Sequence, residues 1–333
     1  MRLRQAILAT LLPAVLLTAS CAVEPTESTY ASEDRVMQAW MRYNHPGIAT
    51  YGSTSLYVID MEQGSGPAVG DSAYVCAHYI KRSLDGDIIA TNHQSLAEQL
   101  GSYSVTTYYG SSIWRMDQGY LPDDLETIIK QMRSGGSATI ALPVSASSHE
   151  TSMYSAFSGT AESENQIIEL TIDTVLTDIT LHQEKVMREW FNRRYQVADT
   201  AAEHLYFKKL EAHTEAADTI SEGHNISVRY IGRLLNGQVF DTNIEDTAKF
   251  YRIWKNGSSY NALTIAYYKD DESQFEENNS VVKGFGKALR MMNFGEKAVT
   301  VFNSQLGYGD AGKSPSVPEY SPLCFWLYIE PKN

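Results

Sequence analysis

One stretch of the chain, residues 227–243 (SVRYIGRLLNGQVFDTN), alternates apolar and polar positions and then changes direction at a turn. The alternation is typical of a β-strand with one buried face. Asn236-Gly237 tolerates positive φ at both positions of a tight turn, so the pattern predicts a β-hairpin whose returning strand ends in Phe240-Asp241. An aromatic ring and a carboxylate on paired strands either line a pocket or pack as they would in any hairpin.

The predicted elements occur twice in the same order. Apolar residues at helical spacing predict a helix over 33–43 with Ser32 as its N-cap, and Trp190 repeats Trp40 at an offset of 150 positions. A strand that runs into a turn follows in both copies, at 78–86 and at 229–237. These landmarks at nearly one offset indicate an internal duplication that forms two related domains in tandem.

The second half of each repeat also corresponds, with extra residues in the second copy around 250–280. Part of this insertion is the acidic segment 270–277, which lacks the alternating ligands and the turn glycine of a calcium loop. We therefore predict a solvated surface loop there. A helix that opens with Thr180 and Gln183 as a capping box is predicted to join the two domains.

The composition of the 333 residues, 43% hydrophobic and 20% charged, excludes a disordered or fibrous chain. The net charge of −13 argues against nucleic acid, whose phosphates bind clustered Lys and Arg, and against an anionic lipid surface. The eight His residues show no HxH or HExxH pattern, and no Cys pair has metal-ligand spacing. A metal enzyme is not expected, and we predict that Cys76 and Cys324 are buried and unpaired.

The first residues have the features of a targeting segment. Arg2 and Arg4 precede an apolar run over 6–17, which is too short to span a bilayer as a mature helix. The run ends in LTASC and resembles a bacterial lipoprotein signal, which implies lipidation of Cys21; simple cleavage after a small residue is the alternative. A flexible tether follows over 22–31.

Five motifs follow one another in the second repeat. They are Tyr230 and Gly232 with Asn236-Gly237 and Phe240-Asp241; Val281-Val282-Lys283-Gly284-Phe285; Met292 with Gly295-Glu296; Gly307-Tyr308-Gly309; and Leu323-Cys324-Phe325. In this order they resemble the FKBP-type peptidyl-prolyl isomerases over residues 205–329. The departures from the family pattern are Phe285, where the family usually has Trp, and the insertion at 250–280.

The resemblance implies an α+β fold with two tandem FKBP-like domains, each an antiparallel sheet wrapped around a short helix, joined by a helical linker. The predicted division is a lipoprotein signal segment (1–21), a tether and short helix (22–50), a degenerate FKBP-like domain (51–177), a linker helix (178–199) and an FKBP-type isomerase domain (200–333).

The resemblance also implies a site. Asp241 would face the twisting amide and Tyr308 would donate its hydroxyl to a substrate carbonyl, as would the backbone N–H of Val282. Leu263 and Ile265 are candidates for a further wall. No cofactor and no metal is implied. The residues expected to bind the substrate are Tyr230, Phe240, Val281, Val282, Phe285, Val317 and Phe325.

The first repeat lacks most of these residues. Ile89-Ala90 stands where the second copy has Phe240-Asp241, and Asp124-Leu125 stands where it has Gly284-Phe285. No Tyr-Gly pair corresponds to Tyr308-Gly309; that region is SASSHETSMYSAFSG. Its His149-Glu150 is interpreted as part of an exposed polar loop, with acid–base chemistry as the alternative.

The predicted function is isomerisation of X–Pro bonds in proteins of the bacterial cell envelope, with proline-containing polypeptides as partners. The chain would touch the membrane only through a lipid anchor on Cys21, at the periplasmic or outer-membrane face. The alternative is a chaperone or assembly module that uses the same fold to bind polypeptide without turnover. The sequence does not predict an oligomeric state.

Overall fold

The structure is a computed structural model that describes residues 29–147, 164–196, 198–202, 204–212 and 219–332. The predicted signal segment, Cys21 and His149-Glu150 lie outside these residues. The elements of the first repeat are α1 (Thr29–Asn44), β1 (Tyr57–Glu62), β2 (Tyr74–Ser83), β3 (Ile88–Thr91), α2 (Gln94–Gln99), β4 (Ser112–Arg115), α3 (Asp123–Ile129), β5 (Ser137–Leu142), α4 (Val144–Ser147) and β6 (Gln166–Leu176).

The second repeat has the same succession of elements with one strand, β7 (Thr200–Ala202), and one helix, α7 (Glu272–Asn278), added. Its elements are α5 (Ile179–Tyr195), β7 (Thr200–Ala202), β8 (Leu205–Glu211), β9 (His224–Leu234), β10 (Val239–Thr242), α6 (Glu245–Phe250), β11 (Leu263–Tyr267), α7 (Glu272–Asn278), α8 (Lys283–Leu289), β12 (Lys297–Phe302), a 3-10 turn (Ser304–Leu306) and β13 (Leu323–Ile329).

Each repeat forms one antiparallel sheet, and the two sheets have the same strand order. In the first the order is β1-β5-β6-β2-β3, with β4 also paired to β2. In the second the order is β8-β12-β13-β9-β10, with β11 also paired to β9 and β7 added beside β8. The predicted α+β fold with tandem domains is therefore confirmed.

The duplication extends to single hydrogen bonds. The side-chain oxygen of Asn243 accepts from the backbone N–H of Tyr230 at 2.9 Å, and its amide donates to the Val228 carbonyl at 2.8 Å. In the first repeat Asn92 makes the equivalent bonds to Tyr79 and Ala77, at 2.8 and 3.0 Å. Both pairs lie 151 positions apart, so the predicted offset is reproduced at the level of side chains.

A long helix packs on the outer face of each sheet. The Trp40 indole of α1 donates to the Leu84 carbonyl at 2.9 Å, and the Trp190 indole of α5 donates to the Leu235 carbonyl at 2.8 Å. Both carbonyls belong to the turn that closes the hairpin of the same repeat. The paired Trp residues thus tie each helix to its own sheet.

The short helices α3 and α8 cover the inner faces of the two sheets. In α8 the apolar residues recur at helical spacing, and Phe285, Ala288, Leu289 and the following Met292 are all buried. They join the apolar residues of β9, β12 and β13 in one core cluster. The corresponding cluster of the first repeat is built around Leu125, Ile128 and Ile129 of α3.

Ser32 is not the N-cap of the first helix, because α1 begins at Thr29 and Ser32 lies within it. Four further local predictions are wrong in detail. The Asp178 side chain, not Thr180, caps α5 by accepting from the Leu181 N–H at 2.9 Å, because its carboxylate stands before the first turn. The apolar pair Val281-Val282 predicts the end of a strand, but Val282 is the N-cap of α8. In the hairpin turn only Gly237 has positive φ, since the Asn236 side chain instead accepts from the Gln238 N–H.

The fourth correction concerns the acidic segment. It is a helix, α7, rather than a surface loop, because Asp271 caps its first turn by accepting from the Gln274 N–H and Phe275 packs into the second core. Glu272 forms ion pairs with Lys287 and Arg290 at 3.2 and 3.1 Å. The inserted residues therefore stabilise the flank of α8.

The two repeats contact each other around Tyr320. Its ring belongs to the second repeat but lies in the first core cluster, edge-on to Tyr74 with ring centres 5.1 Å apart. Its hydroxyl lies 3.0 Å from that of Tyr120, and the Gln183 side chain of α5 donates to its carbonyl at 2.8 Å. Because Tyr120 and Tyr320 are both buried, this contact fixes one domain against the other.

One prediction about residue environments is confirmed. Cys76 and Cys324 are buried and free, and burial raises the pKa of the Cys76 thiol to about 11. Across the described ranges, none of the helices combines the length and the hydropathy needed to cross a bilayer.

Candidate functional site

A cavity of about 510 Å³ opens on the inner face of the second sheet, between β9, β10, α8 and the loop after β12. Its apolar surface is a set of rings in contact. Phe325 lies at the centre, with its ring centre 5.2 Å from that of Phe285 and 5.7 Å from that of Phe240. Tyr230 closes the set edge-on to Phe285 at 5.6 Å. Edge-to-face packing of this kind holds the rings in fixed orientations.

The hairpin positions its side chains through a bulge and a glycine. The register between β9 and β10 shifts between Val239 and Asp241, so Phe240 is the extra residue and Asp241 pairs with Gly232. A Cβ at Gly232 would lie 2.8 Å from the Phe240 ring and 2.9 Å from the Phe325 ring. The two rings therefore approach the strand as closely as they do because residue 232 is glycine.

The polar groups of the cavity are concentrated on one side. Burial and the neighbouring Asp241 carboxylate raise the pKa of the Tyr230 hydroxyl. Tyr308 is half-buried, with its ring centre 6.4 Å from that of Phe240. The Lys313 ammonium lies 5.4 Å from the centre of the Tyr308 ring. A bound molecule would thus meet aromatic faces below and a carboxylate and a hydroxyl at the rim.

Most of the predicted site residues meet at this cavity. Phe240 is an exception, because it borders a neighbouring groove and does not line this cavity. The residues that line the cavity itself are Tyr230, Asp241, Val281, Val282, Phe285, Tyr308 and Phe325, together with Leu263.

Val317 and Ile265 are placed elsewhere. Both are 2% exposed and lie in the core behind the cavity rather than on its surface. Val317 turns inward because its backbone pairs with that of Lys313, with N···O distances of 2.7 and 3.0 Å. Its predicted contact with substrate is therefore not made from this position.

The structure adds two residues that the sequence did not single out, Ser280 and Lys313. Neither belongs to a periodic apolar pattern, because each is a single polar residue in a loop. The only available signal was proximity in sequence to Val281 and to Tyr308.

In the first repeat, side chains fill the corresponding space. Strand pairing places Lys81 opposite Ala90, as Gly232 lies opposite Asp241. Lys81 is 5% exposed, and its ammonium lies 5.9 Å from the centre of the Tyr79 ring. A lysine in place of glycine and an alanine in place of aspartate remove both the space and the carboxylate. The interpretation that the first repeat keeps the scaffold without the site agrees with this arrangement.

No group of three or more His, Cys, Asp or Glu side chains in the described parts of the chain is arranged to hold a metal ion. The groups that the cavity offers are its aromatic rings, one carboxylate, two phenol hydroxyls, the Ser280 hydroxyl and the Lys313 ammonium.

Comparison with known proteins points to the same repeat. A family model described as FKBP-type peptidyl-prolyl cis-trans isomerase matches residues 217–329. A probable FKBP-type peptidyl-prolyl cis-trans isomerase of Haemophilus influenzae is 29% identical over 119 residues, which are 35% of this chain and 39% of that protein. The FK506-binding protein 1A of Aspergillus fumigatus is 26% identical over 118 residues, which are 35% of this chain and 86% of that protein.

Among solved structures, the three FKBP domains of wheat FKBP73 align with 84% of this chain and 95% of theirs, at 14% identity and a TM-score of 0.30. The chain spans 39% of the length of the Haemophilus influenzae relative. The family match contains the hairpin, α8, the Tyr308 loop and β13, which are the elements around the cavity. Residues 217–329, in the C-terminal repeat, are thus similar to the FKBP-type peptidyl-prolyl cis-trans isomerase family.

Proposed function

We propose that the second domain catalyses cis–trans isomerisation of X–Pro bonds in polypeptides and that the aromatic cavity binds the proline ring. The observation that carries the proposal is the set of rings around Phe325, with the Asp241 carboxylate beside Tyr230 at one side. An apolar cavity with few polar groups at its rim suits an uncharged ring whose adjoining backbone is polar.

The chemistry requires no nucleophile. Rotation about an X–Pro bond breaks amide resonance and faces a barrier of roughly 18–20 kcal/mol. The carbonyl of the twisted amide is less polar than that of the planar amide, so an apolar surface favours the twisted form over the ground state. Each 1.36 kcal/mol of this preference accelerates the reaction about tenfold.

The polar groups of the cavity are assigned to contacts with the substrate backbone on either side of the X–Pro bond. Asp241, beside Tyr230, faces the amide that turns, while Tyr308 donates its hydroxyl to a substrate carbonyl. The Val282 backbone N–H, at the N-cap of α8, is assigned to a second carbonyl. Holding both sides of the bond fixes the bound peptide while the ring turns in the cavity.

We further propose that the protein acts at the bacterial cell envelope, anchored by lipid on Cys21, and that envelope polypeptides are its substrates. The support is the LTASC sequence after an apolar run with an arginine-containing start. Metabolic labelling with a fatty-acid analogue would test the anchor, and a Cys21→Ala variant that stays labelled would contradict it.

The enzymatic proposal is tested by measuring the isomerisation of short peptides with one Leu-Pro bond by exchange NMR. Asp241→Asn and Tyr308→Phe should each lower kcat/KM about tenfold or more, because the first removes the negative charge and the second the hydroxyl, each worth about 1.5 kcal/mol. The matched controls are Asp246→Asn, on the exposed face of α6, and Tyr328→Phe, on β13. If the folded protein does not exceed the uncatalysed rate, the proposal is wrong.

A second candidate function is binding of polypeptide without turnover. It is favoured by exposed aromatic side chains near the cavity, with Phe250 79% and Trp254 42% exposed. Suppression of aggregation of an unfolded protein should then persist in Asp241→Asn. If Asp241→Asn loses both the isomerase activity and the suppression of aggregation, the two activities belong to one site.

A further inference from the structure

A second groove, of about 640 Å³, opens directly beside the aromatic cavity. The two spaces share Tyr230, Asp241 and Lys313 as lining residues, so a chain that leaves one enters the other. Phe240 and the 313–316 segment form the side nearest the cavity. The groove is therefore placed to receive residues next to a proline held in the cavity.

The groove is built by both domains. One wall comes from the loop between α6 and β11, through Lys255, Ser258 and Tyr260. The lining also includes Thr106, which belongs to the loop between α2 and β4 of the first domain. These two loops occupy equivalent places in the duplicated fold, so equivalent segments of the two domains meet across one groove.

The first-domain loop, residues 104–109, is held against the second domain by hydrogen bonds to its backbone. The Gln238 side chain donates to the carbonyls of Val105 and Thr107, at 3.3 and 3.1 Å. The Tyr108 N–H donates to the Pro315 carbonyl at 2.8 Å. Because these bonds flank Thr106 on both sides, its position relative to the groove is fixed.

The loop is also stiffened internally. The Ser104 and Thr106 hydroxyls lie 2.9 Å apart, and the Ser104 N–H donates to the Tyr109 hydroxyl at 3.2 Å. Tyr108 is partly buried against the core of the second domain. Because hydrogen bonds and packing hold the loop at several positions, it is ordered before a ligand binds and can form a rigid wall of the groove.

The charge of the groove differs from that of the chain. The described residues that line it include two lysines, Lys255 and Lys313, and a single carboxylate, Asp241. The whole chain carries a net charge of −13. Both lysines are exposed at the groove, so an acidic side chain entering it would be attracted where most of the surface would repel it.

We propose that this interdomain groove is a second substrate subsite, which binds the residues flanking the proline and favours an acidic residue between Lys255 and Lys313. The subsite rests on the proposed isomerase function of the neighbouring cavity. It makes the first domain a determinant of specificity through Thr106, although that domain has Lys81 and Ala90 where the second has Gly232 and Asp241.

The charge preference is tested with matched peptides that contain one Leu-Pro bond and carry Glu, Gln or Lys on either side of it. For the native protein we expect kcat/KM to be about two- to fivefold higher with Glu than with Gln, and lower with Lys, as for one exposed ion pair. The ratio should approach one in Lys255→Gln and at high salt. Lys332→Gln, an exposed lysine outside the groove, is the control.

The contribution of the first domain is tested by adding bulk to its loop. Thr106→Trp would fill the groove, whereas Thr107 lines a different cavity on the other side of the loop, which makes Thr107→Trp the matched control. We expect Thr106→Trp to raise KM for the long peptides several-fold and to abolish the Glu preference. Equal effects of both variants, or a native protein indifferent to peptide charge, would overturn the proposal.

Failure of the proposed function can be told from failure of the subsite. If no peptide is turned over, binding of the same peptides, fluorescein-labelled, is measured by anisotropy with the same variants. Binding that favours Glu and depends on Lys255 and Thr106 would support the subsite without catalysis. Binding that ignores charge, or no binding at all, would reject it.

Discussion

A methyl group at Gly232 has no room in this structure. The Cβ of an alanine there would lie 2.8 Å from Cζ of Phe240 and 2.9 Å from Cε1 of Phe325. Ordinary contacts of a Cβ atom are 3.4 Å or longer, so the rings must retreat by about half an ångström. Phe325 is backed by Phe302, stacked at 5.8 Å, and by Phe285, which leaves the cavity as the open direction.

The expected size of the effect follows from this crowding. Overpacking of a core by one methyl group costs about 1–3 kcal/mol. The displaced rings are the surface proposed to hold the proline. The same crowding should therefore also weaken the binding of substrate and of its transition state. We expect Gly232→Ala to lower the free energy of unfolding by about 1–3 kcal/mol and kcat/KM by about tenfold or more.

The control is Gly237, a glycine of the same hairpin that is required by its backbone conformation and not by lack of space. Gly237 has a φ of 99° and no atom within 4 Å of an added Cβ, so Gly237→Ala strains the backbone without touching the rings. Both variants should lose stability in urea unfolding, and only Gly232→Ala should lose activity in exchange NMR. Activity that falls equally in both, or that survives in Gly232→Ala, would refute the assignment of these rings.

Two further predictions concern stability. Glu296 is fully buried and accepts from the Lys209 ammonium at 2.8 Å, so Lys209→Met should destabilise the second domain by about 3–5 kcal/mol in urea unfolding, and adding Glu296→Gln should recover part of the loss. Burial, and then the neighbouring His78, lower the pKa of His93 below its usual 6.5, with Asp173 opposing them. Since the folded state disfavours protonated His93, stability should fall as the pH drops below 6.5, and less so in His93→Gln.

The tandem fold could be predicted from the sequence because its landmarks are local. Trp40 and Trp190 each reach a carbonyl in the turn of their own hairpin, and the Asn92 and Asn243 clamps act within a few strands. The motif around Tyr230, Phe240 and Asp241 also lies within one hairpin. Each of these features leaves a residue-type signal at a constant spacing.

The helical character of α7 left no such signal. Phe275 is a single aromatic residue in an acidic run, so no apolar period indicated a helix. Its packing in the second core, within contact distance of Gly286, and the Asp271 cap decide the outcome. Tertiary packing thus prevailed over local composition, as it often does in short helices.

The groove could not be predicted from the sequence for a different reason. Thr106 reaches it because Gln238 holds the flanking carbonyls from 131 and 133 positions away, and this contact is set by how the two domains dock. Docking depends in turn on Tyr320 lying beside Tyr120. Neither residue belongs to a motif, so their pairing is visible only in three dimensions.

The two departures of the first domain from its twin are consistent with a single role. Lys81 fills the space that Gly232 leaves open in the second domain, so the first domain has no need for access to that space. Its loop at 104–109 contacts the second domain, and Thr106 of this loop lines the groove together with residues of the equivalent loop of the second domain. A duplicated domain that retained its own cavity would need the same loop to stay free beside it. Closure of one cavity therefore frees a loop to extend the other, which explains how a degenerate copy can still serve the function proposed for its twin.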